Sequence, residues 1–417
     1  MSALVIVATL AAQAGTAAAS APPVDSTAPV RTAGQSTYVD IEGGVGYSTN
    51  PQLSFVDDEG SGFGRISLHA VHSRVSTRST TVLSGYVDNV SYFTGHGSQQ
   101  SVDLSARHDT ALSEKVRLFG DVDASYQEGG QLGTRILGVP LVPPPPGGDV
   151  TPPILFPGGG GDFLSVTGRT YRLAGHVGGS FALSPRDSLT LTSGAERVVF
   201  HGGGGLNDSS YTTVPISIGY DRQLTPRTTV GARLVAQDTE YDGPASVRVI
   251  TPQVTGRVLL AERVTLSGAL GASFSRIDDG LVIRHSTGLS AQANLCGQGE
   301  RDFYCARVSA DQQTATVAGP AKLISAGIDY SRQLDANQSI QASLGAERYS
   351  TPISVISGRT FSRSSYYRAA GAYTRRIGQR LFGGVNLAAR KLAQNGPDPK
   401  TDLNASVFIR YRLGDVQ

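Results

Sequence analysis

"GYDRQLTPRTTVGARL", residues 219–234, sets two runs of alternating character on either side of a proline turn, and the chain writes it more than once. "DYSRQLDANQSIQASL" occupies 329–344, "AYTRRIGQRLFGGVNL" occupies 372–387, and "SFALSPRDSLTLTSGA" at 180–195 is a looser copy. Each has an aromatic residue, usually an Arg two positions on, a short polar turn, and a run alternating between apolar and small or polar residues. Period two sends successive side chains to opposite faces of a strand, so each copy reads as a hairpin with one apolar face. The Pro and small polar residues of "LSPRD" and "LTPRT" suit a tight turn.

The same period governs the rest of the chain. In "KVRLFGDVDASYQ" (115–127), Val116, Leu118, Gly120, Val122, Ala124 and Tyr126 share one face, while Arg117, Phe119, Asp121, Asp123, Ser125 and Gln127 share the other. Near the end, Leu403, Ala405, Val407, Ile409, Tyr411 and Leu413 alternate with Asn404, Ser406, Phe408, Arg410 and Arg412. No helical period of any length appears. Strands placed wherever the alternation holds number about sixteen. They fall near 37–48, 62–76, 80–94, 100–112, 115–128, 168–183, 188–200, 211–223, 228–238, 247–260, 263–275, 320–333, 338–349, 362–376, 380–391 and 401–414.

Their connections alternate in length: tight turns near 77–79, 113–114, 184–187, 224–227, 261–262, 334–337 and 377–379 are separated by longer loops, notably 129–167 and 276–319. Short turns at one end and long loops at the other are the habit of a transmembrane barrel, crossed by about ten residues per strand. Closure also pairs every backbone group, which hydrocarbon demands. The expected fold is therefore all-β, an antiparallel up-and-down transmembrane barrel with periplasmic turns and extracellular loops.

The composition agrees with a thin, one-sided apolar band. Only 39% of the 417 residues are hydrophobic, Gly supplies 51, and there is one Met and no Trp. A net charge of +2 argues against a nucleic-acid partner. Residues 1–21, "MSALVIVATLAAQAGTAAASA", read as a signal peptide cleaved after Ala14 or Ala19, although the usual positive start is absent. Residues 22–36 then form a disordered periplasmic linker and 37–417 a single barrel domain. No other stretch has the roughly 18 consecutive apolar residues of a helical span. The two cysteines, Cys296 and Cys305 in "LCGQGERDFYC", read in an exported protein as a local disulfide clipping a loop; a zinc site needs more ligands nearby.

On this reading Phe181, Tyr220, Tyr330, Tyr373 and Tyr411 form a periplasmic aromatic girdle at the headgroup level. Arg222, Arg332 and Arg375, two residues farther on the same face, reach lipid phosphates. The other face carries Arg65, Arg107, Asp121, Asp123, Arg172, Glu196, Asp221, Arg233, Arg257, Asp329, Glu347, Arg368, Arg390 and Arg410, which line a lumen. Groups so charged need water or ion partners. A slight excess of Arg would favour mildly anionic solutes.

"YVDIEGGVGYSTNPQL" at the start, the Y-x-R-x-L-S/T-P-R turns and the closing "ASVFIRYRLGDVQ" resemble Gram-negative outer-membrane β-barrels, and more loosely the β-barrel porin family that accompanies exopolysaccharide gene clusters. The ending departs from the usual terminal aromatic, since four residues follow Leu413. The resemblance implies an outer-membrane channel or export conduit for hydrophilic solutes, polysaccharide among them, with outer-membrane lipid, the barrel-assembly machinery and a polysaccharide or secretion partner as contacts. A homo-oligomer fits a porin of this size. The opposing expectation is a non-conducting anchor or scaffold acting through its loops.

The loop "LGVPLVPPPPGGDVTPPILFPGGGGDF" is stiffened by four consecutive prolines and hinged by glycines, which suits either a lumen constriction or an external arm. "GGGG" at 158–161 and 202–205 lacks the Lys-Ser/Thr and the helix of a phosphate cradle. "VDDEGSG" and "RIDDGL" bring carboxylates into outer loops, which suits either weak Ca²⁺ binding or, more commonly, a solvated acidic tip. The seven histidines are scattered and no Ser sits in a nucleophile motif, so His201 with Asp208 is the nearest approach to a catalytic pair. Neither an enzyme nor a cofactor is expected.

Overall fold

The computed structural model describes residues 34–51, 53, 59–128, 168–202, 210–278, 280–315, 319–350, 364–394 and 399–415. Among them run eighteen strands. The first nine are β1 (Gly34–Ser48), β2 (Ser61–Val75), β3 (Ser79–Tyr92), β4 (Ser98–Ala111), β5 (Val116–Glu128), β6 (Gly168–Ala182), β7 (Asp187–Gly202), β8 (Tyr211–Thr225) and β9 (Thr228–Tyr241). The second nine are β10 (Ser246–Ala261), β11 (Val264–Asp278), β12 (Ile283–Gln298), β13 (Asp302–Ala315), β14 (Gly319–Asp335), β15 (Gln338–Ser350), β16 (Ser364–Arg376), β17 (Leu381–Gln394) and β18 (Lys400–Gly414). Each pairs antiparallel with its sequence neighbours. The first and last pair with each other, Tyr38–Ser48 against Asn404–Gly414, so the sheet is a closed cylinder without a free edge strand.

The barrel thus has eighteen strands where the alternation predicts about sixteen. The additional pair, β12 and β13, occupies most of the segment read as the 276–319 loop. These strands alternate Ala and Leu with Ser, Gln and Asn, as in "LSAQANL", so the contrast between their faces is weak. The cysteines within them also read as a loop clip. At the other terminus β1 starts at Gly34, inside the segment expected as linker. Residues 1–33, the anticipated signal peptide and most of that linker, lie outside the described residues.

The two faces are inverted relative to a water-soluble protein. Along β18, Leu403, Val407, Ile409, Tyr411 and Leu413 are exposed, whereas Asn404, Ser406 and Phe408 are buried. The same phase recurs around the circumference: Ile66, Val87, Leu104, Val177, Ile216, Val254, Leu270, Leu344 and Leu387 all stand outward and exposed. Monomeric soluble proteins rarely expose apolar surface so continuously. What is buried is largely polar or charged, including Asp40, Arg65, Asp88, Glu196, Asp329, Arg390 and Asp402.

Connections fall into two sets at opposite ends. One end carries 76–78, 112–115, 183–186, 226–227, 262–263, 299–301, 336–337 and 377–380, and the start of β1 and the end of β18 lie there too. The other carries 49–60, 93–97, 129–167, 203–210, 242–245, 279–282, 316–318, 351–363 and 395–399. The length contrast is concentrated in three of these loops, 49–60, 129–167 and 351–363; several others are as short as the turns.

The residues beyond Leu413 fasten the closing seam. Gly414 takes φ +92°, and a Cβ there would lie 2.3 Å from the carbonyl oxygen of Thr37. This is a left-handed backbone in contact with the neighbouring strand, where only Gly fits without strain. Asp415 follows: its N–H donates to the Thr37 carbonyl at 2.9 Å, and its carboxylate accepts the Thr37 N–H at 2.6 Å.

Candidate functional site

The inner face is organised by arginines, most of them held by carboxylates from adjacent strands. In the sector where the barrel closes, Arg412 forks onto Asp40 through two bonds of 2.7 Å, and Arg410 onto Glu42 at 2.9 and 2.8 Å. Glu42 also meets Arg65 at 3.3 Å. Arg65 in turn donates to Asp88 at 2.7 Å and bonds Tyr86. The period-two registers of β18, β1, β2 and β3 bring these side chains into one row, since Glu42 stands opposite both Arg410 and Ser67, and Arg65 opposite Val90.

Above this row, at the loop end, Arg390 donates to Asp402 at 2.9 and 2.5 Å and to the Pro51 carbonyl at 3.1 Å. Asp402 also accepts from the Ser48 hydroxyl at 2.6 Å and the Asn50 amide at 3.0 Å. Every lone pair of the buried carboxylate therefore has a donor nearby, the condition for burying a charge. Asn50, Pro51 and Leu53 are themselves buried, so the start of the first loop turns in over this pair.

The remaining expected inner residues share this face but not one site. Arg172 pairs with Glu196 at 2.7 Å, with Asp123 close by. Asp121 stands opposite Arg107 and bonds His176 at 3.1 Å. Asp221 accepts from Thr255 at 3.3 Å and faces Arg233, which also faces Asp311. Asp329 pairs with Arg307, Glu347 lies near Arg368, and Arg257 sits between Thr229 and Ser267.

Asp40, Glu42, Asp88, Asp109, Asp311 and Asp402 are inner-face acids that the sequence reading did not single out. They answer Arg412, Arg410, Arg65, Arg117, Arg233 and Arg390. The anticipated Arg excess is therefore corrected: these further acids pair with arginines of the wall. The alternation in "YVDIEGG" already places Asp40 and Glu42 opposite Ile41, a signal that was present in the sequence.

At the turn end the repeated hairpin finds its reason. Tyr220, Tyr330 and Tyr373 face outward, and each donates its hydroxyl to the first residue of a neighbouring strand: Asp187 at 2.6 Å, Asp302 at 2.9 Å and Gln338 at 2.8 Å. The Arg two positions later stands directly opposite that same residue, Arg222 to Asp187, Arg332 to Asp302 and Arg375 to Gln338. Arg222 lies 3.9 Å and Arg332 3.6 Å from these carboxylates. Two of the arginines assigned to lipid phosphate thus have acidic partners within the sheet. Phe181 and Tyr411 occupy the corresponding outward level without this triad.

Cys296 and Cys305 are directly opposite one another on β12 and β13 and form a disulfide. The bond joins two paired strands across the 299–301 turn, which corrects the expectation of a loop clip. Beyond Ala291 and Ala310 the β12–β13 register stops, and Gln312 reaches the Ser286 hydroxyl at 3.1 Å instead.

His201 packs edge-on against Tyr171; Asp208, its suggested partner, lies outside the described residues, as do the proline-rich loop 129–167 and both "GGGG" runs except Gly202. The acidic tips "VDDEGSG" and "RIDDGL" are described only in part. Among the described residues no three His, Cys, Asp or Glu side chains gather as metal ligands.

No family model and no curated protein matches the chain. Solved structures to which it is similar include OccK2 (OpdF) of Pseudomonas aeruginosa, at 10% identity and TM-score 0.44, covering 92% of this chain and 98% of that one. The siderophore receptor PirA of Acinetobacter baumannii matches at 10% identity and TM-score 0.41, over 91% and 80% of the two chains. The FrpB iron transporter of Neisseria meningitidis matches at 7% identity and TM-score 0.43, over 91% and 82%. At these values the likeness carries no argument about function.

Proposed function

We propose that the protein is an outer-membrane β-barrel that conducts small hydrophilic solutes. The observation that carries this reading is the inverted cylinder: eighteen strands closed on themselves, an apolar exterior and a charged interior. Only a hydrocarbon surrounding makes such an exterior favourable, and a closed barrel is the one sheet form that leaves no unpaired edge in it. Barrels of this strand number exceed what inward side chains can fill, so the interior holds water. Interleaved acids and bases on the wall predict weak ion selectivity in place of an anion preference. A polysaccharide cargo rests on the sequence resemblance alone, and no inner residue speaks for it. Export by a cleaved signal peptide and insertion by the assembly machinery complete the route.

The test is single-channel current after refolding the mature chain into a planar lipid bilayer, with and without residues 138–161. Stepwise, weakly selective conductance from the intact chain is the expected result. Silence from the intact chain with current from the deletion makes that loop a plug; silence from both removes the channel.

A second reading, a non-conducting anchor, is favoured by one observation. The inner face is occluded in places at the loop end, with Val198 and Val247 each 1% exposed and Asp402 fully buried.

A further inference from the structure

The outward face near the loop end is not uniform around the barrel. On β5–β10 its arginines have acidic partners: Arg169 with Glu128 at 2.8 Å, Arg197 with Asp242 at 2.6 Å, and Arg248 with Asp238 at 2.5 Å. Arg276 on β11 shares its face with Asp278. Across β14–β17 the pattern changes. Lys322, Arg348 and Lys391 stand outward and exposed, and none has an ion-pair or hydrogen-bond partner for its side chain among the described residues. No Asp or Glu occupies the outward face of these strands at this level; Glu347 and Asp402 point inward, to Arg368 and Arg390. The adjoining connections 316–318 and 351–363 contain no acid in their sequence, and the second adds Arg359 and Arg363.

Register places these cations together. Lys322 is opposite Ser350, and Arg348 is opposite both Ile324 and Ser365, so Lys322 and Arg348 are diagonal neighbours. Tyr367 is diagonal to Arg348 and directly opposite Lys391. Diagonal neighbours lie about 7–8 Å apart and direct ones about 5 Å. The set crosses four strands, roughly 14 Å at the ordinary strand spacing. Immediately toward the barrel's middle the same face turns apolar, with Ile324, Ile328, Leu344 and Leu387 exposed.

Like charges on neighbouring strands repel, and on a membrane-facing wall water relieves this only at the rim. A phosphate-bearing lipid satisfies every part of the surface at once. Its phosphates meet a guanidinium fork, two ammonium groups and a phenol, and its chains lie on the apolar residues below. A soluble anion would gain only the exposed charges.

Resting on the membrane location proposed above, we propose that Lys322, Arg348, Tyr367 and Lys391 form a binding site for a phosphorylated lipid of the leaflet at the loop end, independent of conduction through the lumen.

The full mature chain, refolded in phosphatidylcholine vesicles doped with bisphosphorylated lipid A or its dephosphorylated form, tests this by lipid retained after gentle detergent extraction. The expected result is preferential retention of the phosphorylated lipid, reduced about tenfold or more in Lys322→Gln/Arg348→Gln/Lys391→Gln. Arg348→Lys should lose part of the retention, because an ammonium lacks the fork. Equal retention of both lipids, or full retention by the triple variant, overturns the site. Inorganic phosphate alone protecting the wild type against heat as well as the lipid does would overturn the lipid as its occupant. If the triple variant does not insert, Lys391→Gln and Arg348→Lys carry the comparison singly. Loss of lipid with unchanged single-channel conductance separates this site from the channel, and failure to insert into any vesicle sinks the membrane reading itself.

Discussion

Arg390 and Asp402 show what a single inner residue contributes. Their side chains are 3% and 0% exposed, so removing one leaves the other charge buried without its partner. Arg390→Ala should destabilise the barrel by about 3–5 kcal/mol, and the added change Asp402→Asn should return part of that loss; urea unfolding of vesicle-embedded protein measures both. Were the single variant as stable as the wild type, the pair would be solvated and the inner wall open at that point. Gly414 is sensitive for a different reason, its positive φ and its contact with Thr37. Gly414→Ala should lower the melting temperature and loosen the β1–β18 seam, read as faster amide exchange at Thr37–Val39. Much of this scale was legible in advance, because parity alone assigns Arg65, Glu196, Asp329 and Arg390 to the polar face. Which acid answers which arginine was not, since pairing depends on the register between strands, and the sequence of one strand does not contain it.

At the scale of the hairpin, the repeated Y-x-R motif is a cross-strand triad: a tyrosine and an arginine of one strand share the first side chain of a neighbouring strand. The motif was visible as repetition, but its partners Asp187, Asp302 and Gln338 belong to other strands, so the arginines read as lipid contacts. β12 and β13 were missed because Ala, Gly and Ser blur the period, and a disulfide within a hairpin looks the same in sequence as one within a loop. The loop-end counterpart of the triad is Asp242, whose carboxyl is held below the usual carboxylate range chiefly by the hydrogen bond from Arg197. A depressed folded-state pKa contributes stability above the unfolded value of about 3.9 and loses it as pH falls through the folded value. Asp242→Asn should therefore melt slightly below the wild type at neutral pH, and the two should converge in acid. A gap that stays constant down to low pH would mean that the pair contributes nothing electrostatic. The effect is small because the site is exposed.

For the molecule as a whole, closure and the apolar exterior were predictable because the alternation is sustained along almost the entire chain. Strand number was not, since it depends on each weak hairpin being counted. The loops were the least legible part. Their sequences announce long and short connections but not where those connections lie relative to the mouth of the barrel, and that position separates a conducting barrel from an anchor. Weak ion selectivity in the bilayer experiment follows from the balanced inner wall, whereas strong anion preference would require the acids to be screened from the permeation path.

The joint between β1 and β18 also sets an order of events. The bond from the Thr37 amide to Asp415 spans 378 positions of sequence, so the cylinder is sealed by the contact whose two halves are synthesised furthest apart in time. Every hairpin from β1 to β17 can form from neighbours already present, but until the last strand arrives the sheet has two open edges. Contacts this remote are the slow ones in folding. Closure therefore waits for β18, and truncation within that strand would leave an open sheet with an unpaired β1, not a slightly smaller barrel.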